Sequence, residues 1–521
     1  MNAEEARRLL APFNPWWHDP EWSQENPLLQ AVRRSVLGRP PRLYYHIRRY
    51  LPEPGYYGIV TIRGPRRVGK TTLVMMVVDY LISEAGVRPE NVFYVPLDYA
   101  KLRDVDLFGL IGAIAQLPGE KYVFLDEASM RRDWALVLKN LVDAGVVEGG
   151  GLKIVVTGSH SMDLADAVSK LSGRQGRLAS LFNLGGNLIH VPLRFVEVLE
   201  AIRPDIDNYL RRHGLRRPSE RFSMLLQLRR GTIPKALENF YSEFAALLDA
   251  VFEDYLLHGG FPKAVDQYHR EGVIDPEFYH DFAKLVISDS ANAGLNPENT
   301  RRVLEFLTEP ERLSSPLGLG RRENIGRLVV GVDEEGFPSP KFGLGKYLEY
   351  LETTKIFLFP YREDPSRACT PNYRADRKVY VLDPFSYHAL RSHVRGEADP
   401  LGASKRLLGR LDFRGRLIES VVAAHLAMAQ QFFEHVPSVD YHRVLLYSRD
   451  GDETDYVLCL TRRGGRYRFL IESKYRRRVP GIPDRAEIVL TRDKLEEKAI
   501  RGERGKRKFV YVPVALFLTL F

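Results

Sequence analysis

Residues 64–71 read Gly-Pro-Arg-Arg-Val-Gly-Lys-Thr. The run is a glycine, four residues, then Gly-Lys-Thr, set between an apolar stretch at 57–62 and a helical pattern at 71–82. Few backbones accommodate such a turn. Its glycines let N–H groups wrap an anion, and the helix N-terminus adds a favourable dipole. Further apolar strands are predicted at 92–97, 122–125, 153–157 and 188–191, with helical runs between them. That rhythm predicts a parallel sheet covered on both faces. Gly64, Pro65, Arg66, Arg67, Val68, Gly69, Lys70, Thr71 and Thr72 are then expected to line the phosphates of ATP. Lys70 would reach the β- and γ-phosphates and Thr71 would ligate Mg²⁺.

A second element of such a site follows. Val123-Phe124-Leu125-Asp126-Glu127 is an apolar strand ending in two acids. Asp126 is placed to hold the Mg²⁺ water shell, and Glu127 to polarise the attacking water. This pairing points to nucleotide hydrolysis rather than to a small-molecule kinase. The next strand ends in Thr157-Gly158-Ser159-His160, where Ser159 can contact the γ-phosphate or the water, or close a plain turn. Arg174 and Arg177 can supply transition-state charge in cis or to a neighbouring subunit.

The runs GPRRVGKTT, FLDEAS with Trp134 after it, TGSHS, SGR, VPLRF and GGFPKA together resemble the archaeal P-loop ATPase family. That family belongs to the additional-strand class near the AAA and STAND groups. The resemblance implies a helical lid in which the Gly260-Phe261-Pro262 turn abuts the nucleotide. Read from the residues alone, that turn is a helix breaker. A similar breaker stands at Gly231-Thr-Ile-Pro234.

Residues 297–395 change character. A helix near 301–308, a Gly/Pro/Ser-rich stretch, a helix at 344–352 and strands at 356–361 and 378–382 resemble a winged helix. The second helix, LGKYLEYLE, carries few basic residues, so groove reading and a protein or intramolecular contact both stay open. Beyond 405 a helix at 416–433 precedes strands at 443–448, 455–460, 467–471, 488–491 and 510–518. Glu419 lies on that helix, Asp455 starts a strand, and Glu472-Ser-Lys474 ends the next. Residues i and i+2 of a strand share a face, so Glu472 and Lys474 point together, and a hairpin sets Asp455 beside them. Carboxylates and a lysine so placed can bind Mg²⁺, with Asp455 and Glu472 as ligands, and activate water against a phosphodiester. The ordered set resembles the PD-(D/E)XK nuclease superfamily, which implies either cleavage or a retained, silent scaffold.

Charge supports a polyanion partner in this region. Formal net charge is +9, and residues 405–521 hold 24 Lys+Arg against 15 Asp+Glu. The first 404 residues carry 52 of each sign. Arg476, Arg477, Arg478, Arg504, Lys506, Arg507 and Lys508 are the expected phosphate contacts, with DNA ranked ahead of RNA. A solvated basic face is the plainer reading of the same charge. Two cysteines cannot build a disulfide framework, so a reducing cytoplasm is expected, with no membrane span and no signal peptide. An ion-pair-rich chain with few cysteines also has a thermophilic composition.

The expected fold class is α/β: a P-loop NTPase parallel sheet with helical lid, winged helix and a C-terminal restriction-endonuclease-like α/β domain. Expected boundaries are a helical segment 1–54, ATPase core 55–194, lid 195–296, winged helix 297–404 and nuclease-like domain 405–521. The expected function is a Mg²⁺-dependent ATPase coupled to a nucleic-acid-binding, nucleolytic C-terminal domain, with homo-oligomerisation admitted. The competing class is an ATP-driven signalling or assembly switch whose nuclease-like domain is silent.

Overall fold

On the strand Lys121–Asp126 alternate side chains enter two different cores. Tyr122 and Phe124 join one hydrophobic cluster, while Val123 and Leu125 join the other. A strand apolar on both faces belongs inside a covered parallel sheet, and that is where the computed structural model places it. The structure describes residues 1–131, 133–158, 173–182, 186–317, 344–434, 440–449, 454–475, 485–502 and 505–521. The chain divides into two units. Met1–Val191 forms the first; Pro192–His435 with Val439–Phe521 forms the second.

The first unit contains β1 (Gly58–Arg63), β2 (Val92–Pro96), β3 (Lys121–Asp126), β4 (Leu152–Gly158) and β5 (Asn187–Ile189). They lie parallel in the order β2-β3-β4-β1-β5. β4 therefore stands between β1, which feeds the glycine loop, and β3, which ends in the acid pair. The helix Lys70–Ser83 packs on one face of the sheet; helices Leu107–Ala115 and Trp134–Asp143 pack on the other. Trp16 and Trp22 are buried in the first of these cores, and the indoles of Trp16 and Trp17 both donate to the Val92 carbonyl at 3.0 Å. The N-terminal aromatics thus pack against the sheet.

The second unit begins with helices, among them Phe195–Ile202, Pro218–Arg229, Lys235–His258 and Pro276–Asn292. Its strands are β6 (Pro316–Leu317), β7 (Phe357–Leu358), β8 (Tyr361–Asp364), β9 (Arg367–Lys378), β10 (Tyr380–Val381), β11 (Leu445–Ser448), β12 (Thr454–Arg462), β13 (Gly465–Ser473), β14 (Ile488–Thr491), β15 (Glu496–Gly502) and β16 (Gly505–Pro513). Nine of these form one sheet, β15-β16-β14-β13-β12-β11-β8-β9-β6; β7 and β10 pair separately. The strands expected at 356–361 and 378–382 correspond to β7 and β10, which pair with each other outside the large sheet, while β8 and β9, between them in sequence, join through β11 the strands beyond 440. The expected strand at 510–518 stops at Pro513, and Val514–Leu518 is a helix. Proline cannot donate to the ladder, and the five apolar residues after it are all buried, which fits a core helix as well as a strand. β15 was not expected; its EEKAIRG run is too charged to read as a strand.

Cys369 and Cys459 form a disulfide with Cα atoms 5.8 Å apart and 90 residues between them in sequence. Closing a loop of that length stabilises the native state by about 4–5 kcal/mol in the chain-entropy account. Disulfides inside cells are a recognised feature of hyperthermophiles. No helix among the described residues is long and apolar enough to cross a membrane.

Three histidines of the second unit are almost wholly inaccessible: His258, His388 and His425. Burial pushes their pKa values down to about 3, about 4 and about 4. His425 uses both nitrogens in the neutral form. Nε2 accepts from Phe195 N at 2.9 Å, and Nδ1 lies 2.7 Å from the Val421 carbonyl. The folded values lie below the unfolded one, so the stability they contribute is complete above about pH 6.5. It is lost as pH falls towards 4, each group adding up to about 1.4 kcal/mol per pH unit. Thermal midpoints measured between pH 7 and 4 should fall with acidification. His425→Gln, which cannot take up the proton, should flatten that slope by one proton's worth. An unchanged slope in the variant would show that His425 does not titrate on unfolding.

Candidate functional site

The glycine loop is shaped by two close constraints. A Cβ on Gly64 would sit 1.9 Å from the His190 carbonyl oxygen, and Gly69 has φ +97° at the start of its helix. Only glycine suits either position. Lys70 is buried, and its Nζ donates to the carbonyls of Gly64 and Pro65, both at 3.0 Å. The ammonium thus lies inside the curve of the loop, where phosphate oxygens would replace the carbonyls.

Asp126, at the end of β3, is also buried. Its Oδ2 accepts from the Thr71 hydroxyl at 2.8 Å and from the Tyr94 hydroxyl at 2.8 Å. Its Oδ1 accepts from the Thr157 hydroxyl, which in turn accepts from Glu127 N at 3.1 Å. Burial, reinforced by the Asp126 charge, holds the Tyr94 phenol far above its usual pKa, so it stays a donor. Glu127 has φ +50°, and its Oε1 lies 3.7 Å from the Arg66 guanidinium. Asp98, two residues beyond β2, has its pKa raised by burial and by the Asp126 charge. Lys70, Thr71, Asp126, Glu127 and Arg66 are therefore gathered at one end of the sheet. Thr71 and Asp126 already meet at one point, the donor set a phosphate-bound divalent ion needs. Tyr94 and Asp98 join this site without having been expected; Thr157 belongs to the strand-end run in which a polar side chain was expected to reach the site, and the one it meets is Asp126.

The remaining expected residues are placed differently. Gln175 and Gly176 bridge to Gly58 and Ile59, at the opposite end of β1 from the loop. Arg174 pairs there with Asp143 at 2.7 Å. About 20 Å of extended strand separates that end from the loop. Within one chain, then, Arg174 is not brought to Lys70 and Glu127. The Arg177 guanidinium stacks over Tyr56 at the same end. Ser159 and His160 lie outside the described residues. In the second unit Pro262 opens the helix Pro262–Glu271. The turn before it is satisfied within that unit: Gly260 N donates to Asp383 Oδ2 at 2.6 Å, and Leu193 N donates to the Gly260 carbonyl at 2.8 Å.

On β12 and β13 the register sets Asp455 against Glu472. Asp455 N donates to Glu472 Oε2 at 3.1 Å, and Ser473 N donates to Asp455 Oδ2 at 3.0 Å. Lys474 Nζ lies 2.6 Å from Glu472 Oε1. A second lysine, Lys378 at the end of β9, lies 3.2 Å from Asp455 Oδ1 with its side chain only 2% exposed. Glu419 approaches from the helix Leu411–Ala427. Burial and the Asp455 charge raise its pKa, and the same two causes raise that of Glu472. Asp455, Glu472 and Lys474 are in mutual reach. The three acids do not offer one oxygen each within 4.8 Å of the other two. Among the described residues, the set that does meet that spacing is Glu363 with Cys369 and Cys459, whose sulfurs are joined to each other. Glu453, Arg476, Arg477, Arg478, Arg504 and the side chain of Lys506 lie outside the described residues.

Comparison with known proteins divides the chain in a similar way. Residues 56–199 match the family model of an AAA domain, and residues 249–397 match DUF8612, a domain of unknown function. Uncharacterized protein MJ1637 of Methanocaldococcus jannaschii is 32% identical over 115 residues, 21% of this chain and 23% of that protein. The match therefore spans less than a quarter of that curated relative. Among solved structures, the Walker-type ATPase PABY2304 of Pyrococcus abyssi aligns at 15% identity over 67% of this chain and 94% of that one, with TM-score 0.34. The Aeropyrum pernix Orc1 protein in complex with DNA aligns at 14% over 71% and 93%, with TM-score 0.28. A Thermotoga maritima RuvB variant aligns at 18% over 65% and 90%, with TM-score 0.24. Residues 56–199 are thus similar to an AAA domain, and the glycine loop, the buried aspartate and the parallel sheet of the first unit give them the layout of a P-loop ATPase-type domain.

Proposed function

We propose that the chain is a Mg²⁺-dependent ATP hydrolase whose C-terminal part acts on nucleic acid, DNA ahead of RNA. The observation that carries the first half is the meeting of Thr71 and Asp126 beside the Lys70 ammonium. Lys70 exchanges the Gly64 and Pro65 carbonyls for β- and γ-phosphate oxygens, and the N-terminus of the helix Lys70–Ser83 adds its dipole. Thr71 and Asp126 would hold the ion, which would supply charge neutralisation for the transferred phosphoryl group. Glu127 takes the proton of the attacking water. Arg66 holds that carboxylate beside the loop, so phosphate binding by the loop also governs where Glu127 points.

The second half rests on Asp455, Glu472 and Lys474 lying together in a region of excess positive charge. We read this as a divalent-ion site for phosphodiester cleavage within a nuclease-like domain at 405–521, preceded by a winged helix at 297–404 and a helical lid at 195–296. Nucleotide state would govern access to it, and self-association would allow Arg174 to serve a neighbouring subunit. A second reading, an ATP-driven switch with a silent site, is favoured by one observation: all four oxygens of Asp455 and Glu472 already face a donor. The test is cleavage of mixed DNA and RNA substrates by the intact chain with Mg²⁺ or Mn²⁺, with and without ATP. Cleavage that needs the divalent ion supports the first reading. Its absence under all these conditions supports the switch.

A further inference from the structure

Among the groups around Asp455, the one that nothing in the nuclease-like pattern predicts is Lys378. It comes from β9, 77 residues before Asp455, on a strand of unreadable pattern. Its side chain is 2% exposed, against 34% for Lys474. Lys474 can swing into solvent when a cation arrives; Lys378 is held in place. β9 pairs on one side with β6, where Lys378 faces Pro316, and its ammonium bears on the Tyr447 ring at 5.4 Å. The Tyr380 side chain is fully buried; Lys378 acts on its hydroxyl by charge and by a hydrogen bond, and the Glu419 and Asp455 charges act on it as well. Lys378 is thus tied both to Asp455 and to a buried hydroxyl beside the acids.

Resting on the reading of this cluster as a divalent-ion site, we propose that Lys378 is its built-in counter-cation. It occupies one side of Asp455 and keeps the affinity for a free divalent ion low. The charges support this. With all groups ionised, Glu419, Asp455 and Glu472 against Lys378 and Lys474 leave a net charge of only −1, too little to hold a divalent ion tightly from water. An anionic phosphodiester brings the missing negative charge, so the site takes the ion together with its substrate and holds little of it before.

The test is Mn²⁺ binding to the intact chain by isothermal titration calorimetry, with the Asp455→Asn chain as reference for ions bound elsewhere. Lys378→Met should bind the Asp455-dependent ion at least about tenfold more tightly than the parent chain, because a positive charge within a few ångströms of the ion has been removed from a partly buried site. Lys378→Gln, which keeps a donor for Asp455, carries the same expectation if the methionine variant does not fold. An Asp455-dependent ion bound equally or more weakly in the variants overturns the counter-cation role and leaves the metal-site reading standing. No Asp455-dependent ion in parent or variants overturns both.

Discussion

Lys70→Ala is expected to reduce ATP hydrolysis by at least about a hundredfold, the scale seen when one fixed charge is taken from a phosphoryl-transfer or oxyanion site. The buried ammonium lies inside the loop against Gly64 and Pro65, and alanine removes that charge and leaves only the loop N–H groups and the helix dipole to meet the phosphates. Glu127→Gln should separate binding from turnover. Its amide keeps the shape of the site and leaves Lys70, Thr71 and Asp126 untouched, so ATP affinity should stay within a few-fold while turnover drops by about 10²–10⁴. Nucleotide binding by fluorescence and phosphate release by a coupled assay read the two quantities apart. Wild-type turnover in the Glu127 variant would remove that residue from the role of base.

The second large effect is expected at Asp455. Asp455→Asn should abolish divalent-dependent cleavage, a loss of at least about a hundredfold, and leave nucleic-acid affinity within about twofold. The two properties rest on different groups: the ion on Asp455 and Glu472, the affinity on lysines and arginines around them. Affinity of the intact chain should also fall by orders of magnitude between roughly 50 and 200 mM salt, if about six or more phosphates are contacted. Parallel loss of binding and cleavage in the variant would mean that Asp455 supports the fold and not the chemistry.

The first unit was legible because its signals are local. Each of its five strands was predicted within about a residue or two from an apolar run alone, since a strand buried on both faces is apolar along most of its length. The loop and the acid pair are each contiguous, so Lys70, Thr71, Asp126 and Glu127 could be named together before any contact was known. The partners of Asp126 were harder. Tyr94 sits on β2 and looks like any core aromatic, and only its hydroxyl's reach to Asp126 gives it a role. The second unit was read less well because its sheet is assembled from distant pieces. β8 meets β11 across some 80 residues, and β9 reads RACTPNYRADRK, with no alternation to mark it. Lys378 and the Cys369–Cys459 bond both come from that strand, and neither has a sequence neighbour that announces it. Glu472 and Lys474 were found because strand period alone places them on one face.

ATP turnover by the intact chain, measured at fixed Mg²⁺ and low salt with and without added DNA, tests the central claim that the P-loop domain serves a nucleic-acid-directed partner domain. Turnover is predicted to rise several-fold and to saturate with DNA, and the rise should vanish at high salt together with binding. Turnover indifferent to DNA under conditions where the chain binds it would contradict the coupling.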